Sequence, residues 1–210
     1  MSAKNILNVE NIAFERNDSL LFEPVSFSVS GGEALHIEGA NGSGKTTLFK
    51  LLTGLLQPSQ GTIFYCDQSI DDCKYDYLSS LLYIGHQSGV KAVLSVEENL
   101  RWMSPSNTTN EQIAHALAAV GLEDYTHIPC FKLSAGQHRR VALARLITSQ
   151  AKLWYLDEPF AALDKQGVDF IENVMQKHID QDGAILFSSH QDPAKIAVRK
   201  HTIIRHWEGI

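Results

Sequence analysis

No stretch of this sequence approaches the run of about 20 apolar residues that a membrane-spanning helix requires. The N-terminus also lacks the apolar core of a secretory signal, so the chain is expected to stay in the cytosol unless a partner brings it to a membrane. Cysteine is scarce: Cys66, Cys73 and Cys130 are widely spaced and form no C-x-x-C pair, which argues against a disulfide framework or a zinc site. Basic charge is not in excess. Eighteen Lys and Arg against 24 Asp and Glu leave a formal charge of -6, at odds with a general nucleic-acid binder. Internal repeats, heptad runs and low-complexity tracts are missing. What remains is an ordinary globular composition, 44% hydrophobic and 20% charged, over 210 residues. That length suits one domain, or one domain with a subdomain, around a real core.

Against this plain background one stretch stands out, Gly39-Ala40-Asn41-Gly42-Ser43-Gly44-Lys45-Thr46-Thr47. Gly39, Gly44, Lys45 and Thr46 fit the phosphate-binding pattern G-x-x-x-x-G-K-[ST]. Small residues let backbone N–H groups turn inward around a chain of phosphates. Lys45 supplies a point charge to the β- and γ-phosphates, and the Thr46 hydroxyl is placed to ligate Mg²⁺. Leu35-His36-Ile37 reads as a strand entering the loop, and Leu48, Leu51, Leu52 and Leu55 recur at helical spacing after it. The loop therefore feeds a helix N-terminus, whose dipole favours anions. Four fixed positions would arise by chance roughly once in 150 chains of this size. The strand before and helix after lower those odds further, so nucleotide binding is the expectation.

The rest of the chain supplies further polar groups at the ends of apolar runs. Ile6 to Phe14 and Val25 to Val29 alternate like strands, with a polar turn at Arg16 to Ser19 between them and a Gly31-Gly32 turn after. Thr62 to Tyr65 reads as a further strand, and residues 68–80 as loop with a helical turn. Leu81 to Ile84 is a buried strand with His86-Gln87 at its end, where α/β sheets place ligand-contacting groups. Ser95-x-x-Glu98 and Thr109-x-x-Gln112 fit capping boxes of two helices, and a third helix is predicted from about Gly136 to Thr148. Its start, Leu133-Ser134-Ala135-Gly136-Gln137, makes a second anion-binding helix terminus. Leu153 to Leu156 is an apolar strand ending in Asp157-Glu158; the first carboxylate suits Mg²⁺ through water and the second an attacking water. An amphipathic helix with Ile171, Val174 and Met175 on its buried face follows. Ala184 to Phe187 is another buried strand, ended by Ser188-Ser189-His190, and Thr202 to Trp207 is expected to form a closing strand or half of a hairpin. Each site considered alone has a bland reading, such as a surface acid, a loop amide or a structural histidine. Their joint placement at strand ends beside a phosphate loop favours chemistry.

In this order the pieces resemble the nucleotide-binding subunit of an ABC transporter over essentially the whole chain. Gly39 to Thr46 resembles the Walker A loop, Gln87 the Q-loop, and Leu133 to Gln137 the LSGGQ signature with Ala135 in place of the first Gly. Leu153 to Asp157 resembles Walker B, Glu158 the catalytic glutamate, Ala161 to Asp164 the D-loop and His190 the switch histidine. The resemblance implies an α/β fold: a P-loop (RecA-like) nucleotide-binding domain with an N-terminal antiparallel β subdomain and an inserted α-helical subdomain. Residues 1–87 and 151–210 would form the catalytic core with the β subdomain, and 88–150 the helical signature subdomain.

It also implies ATP and Mg²⁺ as ligands. Gly39 to Thr47 would bind the phosphates, Thr46, Gln87 and Asp157 would order the metal shell, and Glu158, His190 and Lys45 would carry catalysis. In this family two chains pair head to tail, so Ser134, Gly136 and Gln137 would meet ATP held by a second copy. Families of this type stack adenine on an aromatic residue near the first strands; here that place falls on Arg16, whose guanidinium plane can stack instead. Finer likeness, in Ile84 to Lys91, Glu98-Asn99-Leu100, Leu133 to Leu146 and Leu153 to Phe160, is to the ATPases of the haem exporters of bacterial cytochrome c maturation. That would imply integral membrane permease subunits like CcmB and CcmC, with the small CcmD, at the cytoplasmic face of the inner membrane. Another small exporter, or a lipid or lipoprotein release system, is the alternative. Nothing suggests that this chain binds haem itself, since it has no C-x-x-C-H, and His86 is expected in a loop near the membrane subunits.

Overall fold

Leu7 and Val9 face inward from β1 (Asn5–Ala13), and after one change of register so does Ile12. A bulge explains why the alternation looks loose in sequence: pairing with the neighbouring strand shifts between Val9 and Ile12, and Asn11 takes φ 50°. The computed structural model describes residues 5–206. Along the chain it continues with β2 (Glu15–Arg16), β3 (Ser19–Leu20), β4 (Val25–Ser30), β5 (Ala34–Glu38), α1 (Lys45–Leu52), β6 (Gln60–Tyr65) and β7 (Gln68–Ser69). Then come α2 (Lys74–Ser79), β8 (Leu81–Ile84), α3 (Val96–Met103), α4 (Asn110–Ala119), α5 (Ala135–Thr148), β9 (Leu153–Asp157), α6 (Lys165–Asp180), β10 (Ala184–Ser188) and β11 (Arg199–Thr202).

Two sheets result. β4, β1, β6 and β7 form an antiparallel sheet in that order, and β11, β5, β10, β9 and β8 a parallel one. Every residue of β9 and β10 is buried, as the near-continuous apolar runs of strands covered on both faces require. One apolar cluster joins Val25, Phe27 and Val29 of β4 to α1 and the parallel sheet. A second packs Ile171 and Met175 of α6 on the other face, through Leu156 and Phe187. A third holds α3, α4 and α5 together. Helix α5 belongs to both of these last two, Leu143 and Leu146 facing the sheet and Val141 and Ala144 facing the helices. Among the described residues no helix is long and apolar enough to cross a membrane.

Two expectations change, and one is sharpened. Leu55 does not extend α1, which ends at Leu52: Gly54 turns the chain at φ 70°, and the Leu55 and Leu56 amides both bond back to the Lys50 carbonyl. Leu55 is left 65% exposed. The polar turn at Arg16 to Ser19 tightens to Asn17-Asp18, both at positive φ, and closes the β2–β3 hairpin. The closing strand is Arg199–Thr202, not Thr202–Trp207, and it runs parallel to β5. As an edge strand it carries charge rather than an apolar pattern, which concealed it. Trp207 lies outside the described residues.

The end of α6 carries an acid-sensitive contact. The His178 ring stacks on Trp154 with centroids 3.7 Å apart and planes 7° from parallel. Burial pulls its pKa down to about 4, against which a hydrogen bond to the Lys152 carbonyl acts. Between pH 6.5 and about 4 the unfolded chain therefore binds a proton that the folded chain refuses. The stability at issue is complete above pH 6.5 and is lost as pH falls towards 4. Allowing for partial exposure of the ring, about 1–2 kcal/mol is at stake. His178→Phe keeps the stack and removes the titration, so its urea midpoint should fall less than that of the parent between neutral and mildly acidic pH. An equal fall in both proteins would refute this assignment.

Candidate functional site

The candidate site lies where strands of the parallel sheet end. Gly39 to Thr47 runs from the end of β5 into the first turn of α1, and two glycines make its shape possible. A Cβ on Gly39 would come within 2.9 Å of the Ile203 carbonyl, and one on Gly44 within 2.6 Å of the Phe22 ring, with Gly44 at φ 105°. Gly44 caps α1 without a side-chain acceptor, and the helix's first turn has no acidic residue. Its free N–H groups are thus left for an anion. The Ser43 hydroxyl is buried with no partner, and Lys45 Nζ folds back on the carbonyls of Gly39 (2.7 Å) and Ala40 (3.2 Å). Backbone donors, a spare hydroxyl and an ammonium fit a phosphate chain.

Asp157, 2% exposed at the end of β9, is held from both sides. Its Oδ2 accepts from the Thr46 hydroxyl at 2.8 Å, and its Oδ1 accepts from the Ser188 hydroxyl at 2.7 Å. Ser188 Oγ in turn accepts from the Glu158 amide at 3.1 Å. Glu158 sits at φ 55°, a region costly to a side chain, and is held there by its surroundings. Its carboxylate reaches His190, with Oε1 3.6 Å from Nε2. A buried guanidinium underlies all of this: Arg139 of α5 donates to the carbonyls of Gly85 (2.8 Å), Asp157 (2.9 Å) and Glu158 (2.7 Å). Burial lowers the Arg139 pKa, while Asp157, Glu158 and Tyr83 raise it.

A cavity of about 410 Å³ brings together Arg16, Asn41, Gly42, Gly44, Lys45, Thr46, Thr47, Asp157, Glu158 and His190. His86, in the loop after β8 as expected, lines it as well. Gln87 is exposed and lines a neighbouring cavity of about 510 Å³ that shares Thr46 and His86 with the first. Ser134, Gly136 and Gln137 line neither cavity. They start α5 as a capping box, in which Ser134 Oγ accepts from the Gln137 amide and Gln137 Oε1 accepts from the Ser134 amide. A Cβ on Gly136 would lie 3.0 Å from the Ala162 carbonyl, so that helix start packs against the turn after Glu158.

The roles of Arg139 and Ser188 were missed from sequence. Arg139 had a signal: it lies on the helical stripe with Ala142, Leu143 and Leu146, and a charge in an apolar stripe needs buried partners. Ser188 had none, because its partners arrive from β9.

A phosphate cradle at the head of a parallel sheet, with a buried Asp and an adjoining Glu and His, defines a P-loop nucleotide-hydrolysing domain. Residues 22–161 match the ABC transporter family, and the chain belongs to it as an ABC ATPase. It is 47% identical over 187 residues to the "Cytochrome c biogenesis ATP-binding export protein CcmA" of Hahella chejuensis, covering 88% of this chain and 89% of that one. The protein of the same name in Pseudomonas putida is 45% identical over 186 residues, covering 88% and 89%. A solved putative ABC transporter ATP-binding protein from Pyrococcus furiosus superposes with TM-score 0.80 over 93% of this chain and 96% of that chain. At 23% identity it bears on the fold alone.

Proposed function

We propose that the chain is the ATP-hydrolysing subunit of a cytochrome c biogenesis exporter, coupling ATP turnover to release of haem-loaded chaperone across the membrane. The observation that carries the hydrolytic reading is the convergence of Lys45, Asp157, Glu158 and His190 on one cavity. The Gly39–Thr47 loop and Lys45 hold the β- and γ-phosphates, and Arg16 stacks on adenine. Glu158 polarises the attacking water, and His190 and Lys45 stabilise charge on the γ-phosphate as the bond to the leaving phosphate breaks. Thr46 and Asp157 offer the hard oxygens that Mg²⁺ prefers and are already joined to each other, and Gln87 shares a neighbouring cavity with Thr46. When bound, the metal neutralises phosphate charge.

Because Ser134, Gly136 and Gln137 lie apart from the chain's own cavity, they serve a nucleotide held by a second copy, and the working form is an ATP-dependent homodimer. Residues 88–150 act as the helical signature subdomain, and 1–87 with 151–210 as the catalytic core with its β subdomain. Closure on ATP and reopening after hydrolysis drive CcmB- and CcmC-like permease subunits, with CcmD, from the cytoplasmic face of the inner membrane. Relatives that carry the cytochrome c biogenesis name over nine-tenths of their length favour this assignment. Affinity capture from detergent-solubilised membranes, with mass spectrometry of the partners, tests it. Recovery of CcmB- and CcmC-like subunits is expected; a different permease would discard the haem assignment and leave the ATPase chemistry standing.

A further inference from the structure

His190 is 65% exposed, so packing of its own ring does little to set its aim at Glu158. It stands in the stretch between β10 and β11, where no helix or strand holds residues 189–198. That stretch takes its shape from side chains that reach it from elsewhere, and two of these are buried. His36 on β5 is 2% exposed, its ring stacked on Phe187 with centroids 4.6 Å apart and planes 9° from parallel. His36 Nε2 lies 3.0 Å from the carbonyl oxygen of Ser189. A carbonyl can only accept, so Nε2 carries the proton and donates it. Glu172 of α6, also 2% exposed, accepts from the Ala194 amide at 2.8 Å. One contact precedes His190 by one residue, and the other follows it by four.

We propose that His36 and Glu172 are positioning residues for His190, clamping the segment that carries it through the Ser189 carbonyl and the Ala194 amide. This rests on the reading of His190 as a γ-phosphate ligand. Fixing the Ser189 carbonyl fixes the peptide plane that enters His190, and hence the direction of its side chain. His36 stands on β5, three residues before Gly39, so the clamp references His190 to the strand that leads into the phosphate loop.

A metal is a poorer reading of the same place. His36, Glu38 and Asp192 offer ligand atoms within 4.8 Å of one another, and His36 Nδ1 faces Asp192 Oδ1 at 3.3 Å without a hydrogen bond. Lys200 Nζ, however, lies 2.7 Å from Glu38 Oε1 and 2.8 Å from Asp192 Oδ1, the oxygens a cation would need. The ammonium already supplies the positive charge there, and it adds a third tie to the segment from β11.

The test is steady-state ATP hydrolysis by the chain assembled with its permease subunits. His36→Phe preserves the ring stack but donates nothing, whereas His36→Gln restores an amide N–H at a similar reach. His36→Phe should lower kcat about 10- to 100-fold, the scale of a small misplacement of a reacting group, with KM for ATP little changed. His36→Gln should recover most of that loss. Glu172→Leu should behave like His36→Phe, and Glu172→Gln, whose amide oxygen still accepts, should remain active; this pair keeps the test open if His36→Phe does not fold. Unchanged kcat in His36→Phe and Glu172→Leu, or equal losses in the Gln variants, would overturn the proposal. His190→Ala in the same assay separates the two levels: normal turnover there would sink the reading of His190 itself.

Discussion

Glu158→Gln is expected to lower ATP turnover by about 10²–10⁴-fold, the usual contribution of a positioned general base, while ATP binding survives. Gln has the shape of Glu and can occupy the same backbone position, where the amide bonds to Ser188 and Arg139 holds the carbonyl. Its amide cannot take a proton from water. The change also removes a negative charge beside the γ-phosphate, so binding should be strengthened if anything. If two copies enclose ATP between the Lys45 loop of one and the Ser134 helix start of the other, a protein that binds but cannot hydrolyse should accumulate closed. Size-exclusion chromatography of the assembled complex and of the chain would then give a dimer with ATP, and none with ADP. Turnover within about tenfold of the parent would mean that another group polarises the water. A variant that binds ATP yet stays monomeric, even with its permease partners, would count against the shared site.

The parts of this site that could be read from sequence are those whose chemistry is local. The phosphate loop is legible because four residues at fixed spacing do one job within eight residues of chain. Two of the helices announce their starts, since Ser95 with Glu98 and Thr109 with Gln112 form the reciprocal caps that their spacing implies. The same signal at Ser134 and Gln137 is equally plain, and the structure makes it a third such cap. The buried strands β9 and β10 stand out as apolar runs ending in polar groups. What could not be read depends on contacts remote in sequence. Ser188 matters through Asp157, 31 residues away, and His36 through Ser189, 153 residues away. β11 is an edge strand of charged residues, and nothing in Arg199-Lys200-His201 marks pairing with β5. Gln87 is a subtler case: its motif is clear, but the end of β8 turns His86 rather than Gln87 into the cavity with the carboxylates.

Arg139→Met is expected to cost about 3–5 kcal/mol of folding stability, a large share of the total a domain of this size possesses. A buried ion pair can often be exchanged for apolar side chains at little cost, because both charges leave together. That escape is closed here, since the groups paired with Arg139 are the main-chain carbonyls of Gly85, Asp157 and Glu158, which no side-chain change removes. Met fills most of the volume but removes the donor from three carbonyls; the Glu158 carbonyl keeps the Ala161 amide at 3.1 Å, while those of Gly85 and Asp157 lose a charged donor, at about 1–3 kcal/mol each with some relaxation. Lys should not rescue, because a single ammonium cannot span three carbonyls that the planar guanidinium reaches together. The urea midpoint should fall by about 1–2 M, with the slope of the transition unchanged. The loss should also reach catalysis in whatever protein remains folded. Without the guanidinium, Glu158 is free to leave its strained φ of 55° and its carboxylate no longer stands beside His190. Among the described residues the hydrogen bonds of Arg139 go to Gly85, Asp157 and Glu158 and not to Lys45 or its loop, so nucleotide affinity should persist while kcat falls. A midpoint close to that of the parent would mean that the guanidinium does not hold these strand ends, and that Glu158 keeps its backbone by the Ser188 contacts alone.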